Sequence, residues 1–208
     1  MDYKDEDEQV AAVKQWWDEN GKFVIGAVVL AIAGNFGWTA YKDNKAATEA
    51  VQSDAFQKVI EASQGDDLDA LLAAASNVQT SNPGSEYAQL ATLFAAKALV
   101  EKGELEQAAA QLQGVMTAVT IDQPTGAEAR LRLAGLQLAM NQTAEALSLA
   151  SQSYPAAYQA RALEVQGDAL LAQGDRAGAK AAYQQAQNAE GGNALPLLTY
   201  KLNELADV

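Results

Sequence analysis

The stretch "GDALLAQGDRAGAKAAYQQA", Gly167 to Ala186, reads as two helices joined by one tight turn. Alanine, leucine and glutamine are good helix formers. Gly174 interrupts them, and glycine is the residue that takes the positive φ at which helices end. Asp175 follows at the position where a short carboxylate caps the next helix. Gly167 offers no side chain, which suits a close helix crossing. Ala179, Tyr183 and Ala186 recur at helical spacing, a small-large-small face that packs back on the first helix.

The same pattern returns upstream. "LVEKGELEQAAAQL" turns at Gly103, "LAMNQTAEALSLA" turns at Asn141, and a weaker copy, "VIEASQGDDLDALLAAA", turns at Gly65. The equivalents of the first copy's small and large positions are Ala96, Ala108 and Leu112, then Ala134, Ala146 and Ala150. The turns lie 38, 38 and 33 residues apart, near the period of about 34 of a tetratricopeptide repeat. "NPGSEY" (82–87) and "DQPTGAE" (122–128) break helices between copies and account for the longer spacings. One such hairpin cannot bury its apolar face alone, so stacked copies share a core and end in a cap. Pro196, allowed in a first helical turn, is placed to open that cap in "PLLTYKLNELA". The expected fold is therefore all-α, a tetratricopeptide-like solenoid of about four hairpins with a C-terminal capping helix. Its first helices should line a concave face, and the repeat register places Leu93, Lys97, Leu131, Gly135, Glu164 and Asp168 near that groove as partner-binding candidates.

Ahead of the repeats stands "FVIGAVVLAIAGNFGWTAY", Phe23 to Tyr41, without a charged residue. At about 1.5 Å per residue it spans about 28 Å, close to the hydrocarbon thickness of a bilayer. Trp16, Trp17, Trp38 and Tyr41 fall where interfacial aromatics belong. "AIAG" has the form of a signal-peptide cleavage site, but the preceding segment is too long and too acidic for a secretory leader. A buried soluble helix would need a core to cover it, and the repeats already pair their own helices. The stretch reads as an uncleaved anchor. Lysines flank it equally, so charge does not orient it. Asn35 is polar for its depth, and with the small Ala33 and Gly37 it is a candidate for contact with another membrane helix.

The chain has 208 residues, no cysteine, no histidine and a net charge of −13. Residues 1–22 hold three lysines against seven acidic residues. This balance argues against nucleic-acid binding and against an amphipathic helix on anionic lipid. Zinc sites, thiolate nucleophiles and histidine-based triads are excluded by composition. "GDDLDA" (65–70) lacks the glycine and the distal glutamate of a calcium loop, so it reads as a helix cap. No cofactor and no catalytic constellation emerge.

"QVAAVKQWWDENGK", "ELEQAAAQLQ" and "GDALLAQGDRAGAKAAY", with one anchor ending in "GW", resemble the ancillary SecYEG translocon subunits, the YfgM family of Gram-negative bacteria, along essentially the whole chain. The resemblance implies a single-pass inner-membrane protein. It has a cytoplasmic tail at 1–22, a transmembrane helix at 23–41 and a periplasmic repeat domain at 42–208. The implied partners are the SecYEG translocon, a membrane-anchored periplasmic prolyl-isomerase-type chaperone and a cytoplasmic response regulator held by the tail. The implied function is non-enzymatic: linking the channel to periplasmic chaperones and helping to hand over translocated proteins. A scaffold for another envelope assembly, or a membrane-bound stress regulator, would use the same parts with other partners.

Overall fold

The structure is a computed structural model that describes residues 3–207, with side chains from Gln9 onward. The acidic run Asp2 to Glu8 lies outside the described side chains. Among the described residues there are nine α-helices, one short 3-10 turn and no strand. The chain divides into two compact units, residues 1–51 and 52–208.

The first unit is helical: α1 is assigned from Tyr3 to Ser63 and contributes its last residues to the second unit. It is the one helix among the described residues long and apolar enough to cross a membrane. Phe23, Leu30 and Phe36 are each more than seventy per cent exposed.

The second unit stacks helical pairs. Val59 near the end of α1 packs with Leu71, Ala75 and Val78 of α2 (Leu68–Ser81). α3 (Glu86–Glu101) pairs with α4 (Leu105–Ala118), α5 (Pro124–Ala139) with α6 (Thr143–Ala150), and α7 (Ala156–Ala172) with α8 (Arg176–Asn188). The three strong sequence copies share one turn geometry. Gly103, Asn141 and Gly174 all have positive φ, at 82°, 61° and 87°. The next amide in each case reaches back five residues: Glu104 to the Leu99 carbonyl at 2.8 Å, Gln142 to Gln137 at 2.8 Å, Asp175 to Leu170 at 2.9 Å. This is the Schellman closure, which satisfies carbonyls that the helix end leaves open. Asn replaces Gly at the middle turn because its short polar side chain tolerates the left-handed region.

Helix starts follow equally local rules. The carboxylates of Asp67 and Asp175 accept from the amides of Ala70 (3.0 Å) and Gly178 (2.8 Å), and the Ser85 hydroxyl accepts from Ala88 (3.1 Å). Asp67 belongs to "GDDLDA", which is thus a cap. Pro124 opens α5 in the first turn.

The repeat positions form the core. Ala96, Ala108, Leu112, Ala134, Ala146, Ala150, Ala179, Tyr183 and Ala186 are all buried. A Cβ on Gly167 would overlap the ring of Tyr183, the close crossing that its missing side chain allows. The chain ends differently from the expected helix at Pro196. A 3-10 turn, Gly192–Ala194, comes first, and α9 runs from Leu198 to Glu204. Gly191, at φ 78°, redirects the backbone there, so Pro196 sits in the lead-in and not in the helix. Leu198 and Leu205 then bury themselves against Ala179, Tyr183 and Ala186 of α8.

Candidate functional site

The first helices α3, α5 and α7 border a groove of about 710 Å³, with Leu105 and Leu112 of α4 at one side. Its apolar lining includes Ala96, Val100, Leu131, Gly135, Ala139 and Val165, and its charged lining is Lys97, Glu101, Glu128, Arg132 and Arg161. Val100 is 42% exposed, whereas Leu93 and Leu99 of the same helix are buried.

Three of the six groove candidates meet in this groove: Lys97, Leu131 and Gly135. Lys97 is exposed and forms an (i, i+4) pair with Glu101 at 3.5 Å, a contact of little energy. Leu131 forms the bottom, almost wholly buried among Ala127, Tyr154 and Ala162. Gly135 is open, with no atom within 4 Å of the place a Cβ would occupy. Leu93 lies instead in the core with Ala96, Leu99 and Leu133, and its carbonyl accepts from Arg132 Nη1 of α5 at 3.3 Å.

Glu164 and Asp168 meet the cap. Both accept from Lys201 Nζ of α9 at 2.8 Å, and Asp168 also accepts from the Tyr183 hydroxyl at 2.7 Å. The ammonium stands 5.6 Å from the centre of the Tyr183 ring. Burial alone would lower the Lys201 pKa, but the two carboxylates outweigh it and hold the ammonium charged above its usual range. Burial, then the bond and charge of Asp168, push the Tyr183 phenol far up.

Glu128 organises the charged lining. One carboxylate oxygen accepts from Arg132 Nε of the same helix, and the other accepts from Arg161 Nη1 of α7 at 2.7 Å. Two guanidinium groups therefore share one carboxylate, and the groove carries local positive charge inside an acidic chain. Sequence reasoning does not single out Arg132, Arg161 or Val100, because the Glu128–Arg161 pair joins residues 33 apart on different helices.

In the first unit, Asn35, Ala33 and Gly37 are exposed. The Thr39 hydroxyl donates to Asn35 Oδ1 at 3.3 Å, which satisfies part of that amide within the helix. Among the described residues no group of His, Cys, Asp and Glu is arranged to hold a metal ion.

Schellman-closed helical pairs, small residues at their crossings and a groove across the first helices define a tetratricopeptide-like repeat protein, here preceded by an apolar helix. The tetratricopeptide repeat-like domain family matches residues 14–207. The chain is 32% identical to the ancillary SecYEG translocon subunit of Escherichia coli K12, over 98% of each chain. It is 31% identical to the protein of that name in Haemophilus influenzae, over 97% of this chain and 98% of the other. The chain belongs to the ancillary SecYEG translocon subunit family, a non-enzymatic protein-interaction family. The fold is also that of the MamA protein, with a TM-score of 0.57 over 75% of this chain and 86% of the other, at 16% identity.

Proposed function

We propose that this protein is an accessory subunit of the SecYEG translocon, anchored in the bacterial inner membrane by residues 23–41. On this reading residues 1–22 lie in the cytoplasm and 42–208 in the periplasm. The groove holds a membrane-anchored, prolyl-isomerase-type chaperone close to the channel exit and so helps hand over translocated chains. The observation that carries the reading is the groove itself: a partly apolar, open surface across three first helices, in a chain whose relatives at 31–32% identity are named for the translocon. Asn35, Ala33 and Gly37 face another protein's helix in the same reading. Small residues permit close approach, and the Asn35 amide nitrogen remains available to bond across the interface. A cytoplasmic response regulator bound by the acidic tail is a separate partner that this groove does not involve.

The test is crosslinking in native membranes with a photoreactive residue at position 97 or 35. Position 97 should give an adduct with a periplasmic chaperone, and position 35 one with a Sec subunit. Recovery of neither class from intact membranes would overturn the reading.

A further inference from the structure

Resting on the groove reading above, we infer that the segment this groove takes is an acidic one: an apolar side chain seated over Gly135 beside a carboxylate held by Arg132 and Arg161. The first observation is a glycine without an internal reason. The other glycines of α5 and α7 are explained by what surrounds them, and the equally open Gly114 of α4 does not line the groove. Gly167 makes room for Tyr183, and Gly126 makes room for the Thr120 carbonyl. Gly135 lies inside α5 and has nothing within 4 Å of a Cβ position. An interior glycine weakens a helix relative to alanine, and here no neighbour within the chain uses the space. Val100, Ala139 and Val165 surround the opening, so the missing side chain leaves an apolar notch.

The second observation is charge. Arg132 lies three residues before Gly135, about 4.5 Å along the same helix face. Each guanidinium has five N–H donors. Arg161 gives one of them to Glu128, and Arg132 gives one to Glu128 and one to the Leu93 carbonyl. Both side chains are more than a third exposed and line the groove, so a ligand there can reach them. A second carboxylate at this place would balance the second guanidinium, and the planar fork favours it over a neutral group. The acidic residues of α7, Glu164 and Asp168, are bonded to Lys201 and not to these guanidinium groups.

The experiment uses the full chain in nanodiscs of neutral lipid. The probes are a labelled Ala/Leu/Gln peptide bearing one Glu, the same peptide with Gln in its place, and the same with Lys. Anisotropy should show the Glu peptide binding about tenfold tighter than the Gln peptide at low salt, the size of two half-exposed ion pairs acting together. The Lys peptide should bind least. Arg161→Gln, which leaves Arg132 on Glu128 and so keeps the fold, should remove most of the preference. Gly135→Leu, which fills open space, should weaken all three peptides. Equal binding of the three peptides, still blocked by Gly135→Leu, overturns the acidic preference and leaves the groove reading standing. Binding indifferent to Gly135→Leu overturns both. No binding of the Glu peptide overturns this inference alone, since the crosslinks at position 97 are read independently.

Discussion

Three glycines inside helices should respond to the same substitution with opposite signs. At Gly167 an added methyl meets the Tyr183 ring, which is wholly buried and pinned through its hydroxyl to Asp168. Overpacking of this kind costs about 1–3 kcal/mol, and a ring that cannot retreat places it near the upper end. Alanine recovers up to about 1 kcal/mol of helix propensity, so Gly167→Ala should destabilise the repeat unit by about 2 kcal/mol. At Gly135 and Gly114 nothing lies within 4 Å of the Cβ position. There the propensity gain stands alone, about 0.5–1 kcal/mol of stabilisation. In a unit of this size 1 kcal/mol moves Tm by about 2–4 °C. Melting followed by circular dichroism should therefore place Gly167→Ala about 4–8 °C below the parent, and the other two about 1–4 °C above it. A Gly167→Ala protein that melts at or above the parent would refute the close crossing, and with it the alignment of the repeat copies.

Lys201→Met keeps the length of the side chain but leaves Glu164 and Asp168 without their cation. A loss of about 2 kcal/mol is expected, between the values for exposed and fully buried pairs, read as faster amide exchange across α9. Stability should also fall in alkali. Burial raises the Tyr154 phenol to about 12, against a partly compensating charge on Arg130, and Tyr183 and Lys201 are shifted the same way. A folded pKa raised above the unfolded value gives stability that is complete below about pH 10 and lost as the pH rises through the folded value. Urea midpoints should be flat from neutrality to about pH 9.5 and decline above about pH 10. Tyr154→Phe should make that decline shallower.

The turns and crossings are legible in sequence because their causes are local. Gly103, Asn141 and Gly174 stand a fixed distance from their hairpins' small residues, and one rule of helix termination covers all three. The long apolar helix is legible by length and composition alone. The groove is legible only in outline. Helical register finds Lys97, Leu131 and Gly135, but Leu93, one turn before Lys97, falls inside the core. α3 is packed on several sides and buries a wide arc from Ala88 to Leu99. Glu164 and Asp168 have groove register too, yet the residue that meets them is 33 to 37 positions later. No period in the sequence announces such a pairing, and the 3-10 turn that brings α9 into place depends on a left-handed Gly191 that a helix pattern does not reveal.

The tether at Lys201 also acts as a ruler. α9 lies against α7 and α8 at the position of a next hairpin, and its Lys201 engages both Glu164 and Asp168. The series of first helices open to a ligand therefore stops at α3, α5 and α7. With neighbouring helices about 8–10 Å apart, three of them offer a track of about 20 Å. An extended chain crosses that in about six residues, and a helix in about thirteen. A longer repeat array can meet a partner along its length; on the groove reading proposed above, this one meets a single short segment.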